Sequence, residues 1–253
     1  MLWLLAVLWA ACDSAPAPVP SPEPLTVSAA ISLSGAMEEV AAAWRQRGDA
    51  DVRFNFGGSN TLARQIVHGA PVDVFVSADE TQMDVVDRAG MLATGSRVPI
   101  VRNQLAVAAE PARAAFVRDH FDRAPPEIRR LALGDPAAVP AGMYAKQYLE
   151  RRGLWAVYAP RVMPTANVRA ALAAVENGSA DAAIVYASDL RIARRAVAAF
   201  TIPVEDSPHI VYPAAILHGS RHAGEAQRFL AFLQSAEAQA IFARHGFLPL
   251  QRG

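Results

Sequence analysis

At 253 residues, 53% of them apolar and 19% charged, the chain can bury one large core or two smaller ones, and disorder over its bulk is excluded. Its 24 Lys and Arg balance its 24 Asp and Glu, which excludes the basic face that a nucleic-acid partner demands. Its single cysteine excludes a disulfide framework.

Met1 to Cys12 (MLWLLAVLWAAC) is an apolar run of export-signal length, too short to cross a bilayer and ending in small residues. Cys12 directly after Ala10 and Ala11 resembles a bacterial lipoprotein signal, which implies lipidation of Cys12. Asp13 then resembles the residue that keeps such proteins on the inner membrane. Trp9, where leucine is usual, and the lack of Lys or Arg before the apolar core depart from that pattern; the alternative is a plain secretory signal with an incidental cysteine. Asp13 to Pro24 (DSAPAPVPSPEP) has proline at nearly every second position and reads as a stiff extended tether. Folded structure is expected from Leu25.

Leu25 to Ala30 reads as a buried strand that turns through Ile31-Ser32-Leu33-Ser34-Gly35 into a helix over about Ala36–Gln46. Asp51 to Phe56 is a second strand. It breaks at Gly57-Gly58 and restarts as a helix from about Thr61, ended by Gly69. Val72 to Val76 is a third strand, leading through Ser77-Ala78-Asp79 into a helix that ends near Gly90. Strand and helix alternating at this spacing predict right-handed crossovers and a parallel α/β sheet. Further strands are expected at Gln104–Ala109, Leu131–Gly134, Arg161–Met163, Ala182–Ala187, near Phe200–Val204 and at His209–His218. Helices are expected over Ala112–Arg123, from Ala141 through Arg152, from Thr165–Val168 to Gly178, and over His222–Gln234 and Ala236–His245.

The run Phe54 to Ile66 is the most informative. A helix's first turn leaves backbone N–H groups unpaired and carries the positive end of the helix dipole, so it attracts an anion. Gly57 and Gly58 allow close approach to the main chain, while Ser59, Asn60 or Thr61 can offer a hydroxyl or simply cap the helix. No Gly-Lys-Ser/Thr follows, so this is not a nucleotide-binding loop. Similar N-terminal turns stand near Ser32, Ala141 and Val168, and Tyr186 ends a strand. In an open α/β sheet, ligands sit beyond the carboxyl ends of the strands. Contributions from both halves of the chain place a ligand in a cleft between two lobes.

From Leu25 to Leu250 the chain resembles the periplasmic molybdate-binding proteins of ABC importers. The matching motifs are Ser28-Ala29-Ala30-Ile31-Ser32-Leu33, Ser59-Asn60-Thr61-Leu62-Ala63-Arg64-Gln65, Val72 to Asp79, Leu133-Gly134-Asp135-Pro136 with Val139-Pro140-Ala141-Gly142, Asn167-Val168-Arg169 and Ile184-Val185-Tyr186. The resemblance implies a two-lobed type II periplasmic-binding-protein fold, with lobe 1 at 25–103 and 206–253 and lobe 2 at 104–205. It implies capture of molybdate, and of tungstate, by hydroxyl and N–H donors of Ser32 and Ser59, N–H groups of Ala141 and Val168, and the phenol of Tyr186. Arg64, Asp73 and Asp79 are matched as supporting or salt-bridge residues. Gly57-Gly58 departs from the serine-rich sequence common there. The partners it implies are the importer's membrane subunits, with the protein a periplasmic monomer, held at the membrane through Cys12, and with no cofactor.

Molybdate is fully deprotonated at neutral pH, so a matched site offers donors and no carboxylate acceptor, whereas protonated phosphate calls for an acceptor. The rival readings are a binder of sulfate, phosphate or a small organic acid, and a serine hydrolase. Gly57 to Thr61 is not Gly-x-Ser-x-Gly, so a nucleophile elbow is absent. His218 and His222 lack the glutamate of His-Glu-x-x-His and read as a surface turn. An organic acid calls for a cleft arginine, for which Arg64 and Arg169 are the candidates. An enzyme is not expected.

Overall fold

The computed structural model describes residues 23–250. The expected export segment with Cys12, and residues 13–22 of the expected tether, lie outside the described residues. Two five-stranded sheets carry the fold. The first contains β1 (Leu25–Ala30), β2 (Val52–Gly57), β3 (Val74–Val76), β4 (Val98–Asn103) and β10 (Ile210–Ile216), in the order β2-β1-β3-β10-β4. The second contains β5 (Leu105–Ala109), β6 (Leu131–Gly134), β7 (Val162–Thr165), β8 (Ala182–Tyr186) and β9 (Val197–Thr201), in the order β7-β6-β8-β5-β9.

Strands in the helix-linked runs β1 to β3 and β6 to β8 lie parallel: β1 pairs with β2 and β3, and β6 with β7 and β8. The others do not. β10 runs antiparallel to β3 and β4, and β5 runs antiparallel to β8 and β9, so both sheets are mixed rather than wholly parallel. The cause is the connection between lobes. Only Gln104 separates β4 from β5, so the chain runs straight from one sheet into the other with no helix to reverse it.

Helices α1 (Ser34–Gln46), α2 (Ser59–Val67), α3 (Glu80–Arg88), α8 (Ala223–Leu233) and α9 (Ala236–Arg244) belong with the first sheet. Helices α4 (Pro111–His120), α5 (Pro140–Arg151), α6 (Trp155–Tyr158) and α7 (Val168–Glu176) belong with the second. Strands covered on both faces read as continuous apolar runs, and Val27, Ala29, Val74, Val76, Ile184 and Val185 are all fully buried. Trp44 of α1 meets the edge of Phe229 of α8 with ring centroids 5.5 Å apart, which fixes the C-terminal helices on the first lobe.

One strand escapes the sequence pattern. Val98–Asn103 forms β4 at the edge of the first sheet, with Pro99 in it and a register shift opposite Tyr212 and Pro213. A proline cannot donate to the ladder, so edges and bulges are where sheets tolerate it. The same proline obscures the alternation by which a strand is recognised. Among the described residues no helix is long and apolar enough to cross a membrane.

Candidate functional site

Ser32, Ser59, Ala141, Val168 and Tyr186 line a single cavity where the carboxyl ends of the two sheets face each other. The space open to the centre of a water-sized sphere is about 20 Å³. This is just above the roughly 10–15 Å³ that admits one small occupant, and far below the roughly 300–1,000 Å³ of sites for organic ligands.

On the first lobe, β2 ends at Gly57 and α2 starts at Ser59, with Gly58 as a cap that has no side chain to offer. The Gly58 carbonyl accepts from Thr61 and Leu62, so the amides of Ser59 and Asn60 have no acceptor within the helix. Ser59 does not cap the helix. Its Oγ accepts the Ala78 N–H at 2.9 Å, which anchors the oxygen and leaves its hydrogen for the cavity. Gly58 matters for a reason the sequence does not reveal. Its φ is an ordinary −63°, but a Cβ there would lie 3.2 Å from the Ala166 carbonyl of the other lobe. The glycine thus permits the two lobes to approach.

On the second lobe, α5 begins with Pro140 after Val139, and the first intrahelical acceptor is used by Met143. The amides of Ala141 and Gly142 therefore face outward from the helix start. A Cβ on Gly142 would sit 1.8 Å from the Gly134 carbonyl oxygen; only glycine lets α5 lie against the end of β6. At α7, Asn167 caps by accepting the Ala170 N–H at 3.0 Å, which leaves the amides of Val168 and Arg169 without an intrahelical acceptor. The Val168 side chain is a core group, being 3% exposed, so it is the Val168 main chain that can serve the cavity.

Tyr186 closes β8, fully buried, and its hydroxyl has no hydrogen-bond partner among the described residues. Such a group is rare in a buried site and marks a donor waiting for an acceptor. Burial pushes its pKa well above the usual phenol value, with further increments from Tyr212 and Tyr144. It stays protonated, and a donor, at any physiological pH. Ser32 lies in a 3-10 turn between β1 and α1, 4% exposed, with Oγ 3.0 Å from the Tyr212 hydroxyl.

Among the described residues no carboxylate lines the cavity. Asp79 lies nearby but is turned away: it caps α3, accepting the Gln82 N–H at 3.1 Å and the Ser77 O–H at 3.1 Å. Asp73 stands at the opposite end of the first sheet, where it accepts from the Thr26 N–H, from Ser220 and from His222. Arg64 is exposed on the outer face of α2. Arg169 does turn inward, but its charge is taken by fully buried Asp189, 2.8 Å away though outside hydrogen-bonding alignment. Its Nη2 also reaches the Ser32 carbonyl at 3.5 Å. Neither arginine is free to hold an organic carboxylate in the cavity. Among the described residues no group of three or more His, Cys, Asp or Glu is placed to hold a metal ion.

Four residues near the cavity carry no signal in the local sequence: Asn103, Ser188, Asp189 and Tyr212. Asn103 donates to Ser188 and Tyr212 at 2.8 and 3.2 Å. The available hint was a polar residue at the end of a strand that itself went unassigned.

The family described as bacterial extracellular solute-binding protein matches residues 25–248. The chain is 37% identical over 227 residues to the molybdate-binding protein ModA of Escherichia coli, covering 88% of each chain. It is 34% identical over 230 residues to the molybdate-binding protein ModA of Haemophilus influenzae, covering 88% of this chain and 89% of that one. Among solved structures, the Azotobacter vinelandii periplasmic molybdate-binding protein superposes with a TM-score of 0.79 at 26% identity, covering 90% of this chain and 100% of the other. A sulfate-binding protein of Mycobacterium tuberculosis superposes with a TM-score of 0.78 at 19% identity, a likeness of fold alone.

Proposed function

The chain belongs to the bacterial extracellular solute-binding protein family, and from that premise we propose that it captures molybdate, and tungstate with it, for delivery to an ABC importer. The observation that carries this reading is the donor-only lining of the cavity. Hydroxyls of Ser32, Ser59 and Tyr186 meet the first-turn amides of α2, α5 and α7, with no carboxylate among the lining residues. A fully deprotonated dianion accepts from all of them. Each helix start contributes about 0.3–1 kcal/mol, and more when partly buried, so several neutral dipoles serve where a lysine would otherwise be needed.

In this reading the ligand contacts are Ser32 and Ser59 from lobe 1 (25–103 and 206–253) and Ala141, Val168 and Tyr186 from lobe 2 (104–205). The membership of the strands in two sheets supports that division. An anion gripped from both sides favours the closed pair of lobes, and reopening releases it to the importer. The protein acts as a periplasmic monomer, anchored through lipidated Cys12, with no resident cofactor and no catalytic step. Replacing Cys12 by Ser should release it from the membrane fraction.

Calorimetric titration of the purified full-length protein with molybdate, tungstate, sulfate and phosphate tests the assignment. Binding is expected with the first two in clear preference to the others. Tight sulfate or phosphate binding without a response to molybdate would reject it.

A further inference from the structure

We infer that Asn103 and Tyr212 fix the Ser32 hydroxyl as a hydrogen-bond donor toward the anion, and so help select a fully deprotonated oxyanion; this rests on the anion-capture reading above. Asn103 ends β4, one residue before the chain enters the second lobe. Its side-chain oxygen accepts the Gln104 N–H at 3.0 Å, which settles which end of the amide is oxygen. Nδ2 then donates to Ser188 Oγ at 2.8 Å and to the Tyr212 hydroxyl at 3.2 Å. Both amide hydrogens are used.

Tyr212 is fully buried. Because its oxygen accepts from Asn103, its one hydrogen must find another acceptor, and Ser32 Oγ lies 3.0 Å away. The Tyr186 hydroxyl makes no hydrogen bond among the described residues, which leaves Ser32 as the acceptor within reach. Ser32 therefore accepts from Tyr212, and its own hydrogen is left for the cavity it lines. The reverse direction, Ser32 donating to Tyr212, would strand a phenol hydrogen in a buried site, which is costly.

The order Asn103, Tyr212, Ser32 thus runs in one direction, donor to acceptor, from the strand crossing to the ligand. A monohydrogen anion that turns its O–H toward Ser32 meets hydrogen against hydrogen. Ser32 can reverse to accept it only by breaking the chain of donors behind it. A dianion with four bare oxygens meets no such obstacle. Tyr212 and Asn103 are positioning residues, acting through Ser32 without touching the ligand.

The test is a double-mutant cycle on the full-length protein, titrated with molybdate and with phosphate at neutral pH. Tyr212→Phe should weaken molybdate binding about tenfold, the loss expected when one hydrogen bond is no longer held in place, and lower the molybdate-over-phosphate ratio. In a Ser32→Ala background the same change should cost nothing further. Asn103→Ala should move affinity and ratio in the same direction, and it decides the matter if Tyr212→Phe does not fold. Unchanged affinity and ratio in these variants overturns the proposal, as does an equal fold loss with and without Ser32, the mark of simple packing. If the wild type prefers another oxyanion, the molybdate reading falls and the cycle run with that anion still decides the relay. No binding of any anion overturns both.

Discussion

The first sheet has a cavity at each end, and they differ in kind. The one at the amino ends of β1 and β3 is large, about 600 Å³, and is lined by Thr26, Asp73, Ser220 and His222 among others. Its buried carboxylate is saturated: Asp73 accepts from the Thr26 N–H at 2.8 Å, from Ser220 at 2.6 Å and faces His222 Nδ1 at 3.3 Å. The one at the carboxyl ends is about 20 Å³, yet it gathers the unpartnered Tyr186 hydroxyl and the free first-turn amides of three helices. Size therefore does not distinguish a ligand site from a structural recess. Unsatisfied polar groups do, because a fold tolerates them only where something else completes them. At the amino end a carboxylate closes its own hydrogen bonds; at the carboxyl end the donors have no partner among the described residues, as the proposed anion site requires.

The largest effect is expected from Gly142→Ala. The new Cβ would lie 1.8 Å from the Gly134 oxygen and 2.4 Å from its carbonyl carbon, and backbone cannot yield as a side chain does. Helix α5 must retreat and carry the Ala141 amide with it. Molybdate affinity should fall more than about a hundredfold, and stability by about 3 kcal/mol, read by calorimetry and urea unfolding.

A paired substitution then tests the contrast itself. Tyr186→Phe removes a hydroxyl that supports nothing in the protein, so affinity should fall roughly ten- to a hundredfold while unfolding free energy shifts by less than about 0.5 kcal/mol. Asp73→Ala should do the opposite, removing about 2 kcal/mol of stability by stranding its donors while leaving molybdate affinity as it was. If each variant changes both quantities alike, the division between the two ends is wrong.

The smallest effect concerns Asp79, beside the site. Burial pushes its carboxyl from 3.8 up to about 6, outweighing the Gln82 and Ser77 hydrogen bonds that favour the charged form. A carboxyl raised on folding does no harm below its unfolded value and weakens the fold as pH rises through the folded one. Asp79→Asn keeps a capping oxygen without the charge. It should therefore stabilise the protein by about 1–2 kcal/mol at pH 7.5, and the gain should vanish near pH 4 in thermal melts. A gain independent of pH would mean that the charge is not what strains this position.

Much of this was legible in the chain before it was folded. The alternation of apolar strands with helical periods, broken at Gly57-Gly58, before Ala141 and at Asn167, marks where helices start. A helix start loses its amide partners wherever it occurs, so Ser59, Ala141 and Val168 could be named from local pattern, and Tyr186 from its place at a strand end. The five residues do meet at one cavity. Local pattern also misled. Ser59 seemed free to cap its own helix, but its oxygen is engaged by Ala78, 19 residues on. Gly58 lines the cavity, where its lack of a side chain leaves the main chain open, and it also makes room for Ala166 of the other lobe, which local pattern did not reveal.

What the sequence determined by itself is therefore where helices start and strands end, because hydrophobic period, glycine and capping chemistry act within a few residues of one another. What only the tertiary structure decided is the company and the direction of the donors. The antiparallel return of β10 brings Tyr212 to Ser32 across 180 residues, and the overlooked edge strand β4 delivers Asn103 to Tyr212. A hydroxyl can point either way along a hydrogen bond, and which way it points is settled by the partners behind it. Those partners come from distant parts of the chain and acquire that role only when the sheets form.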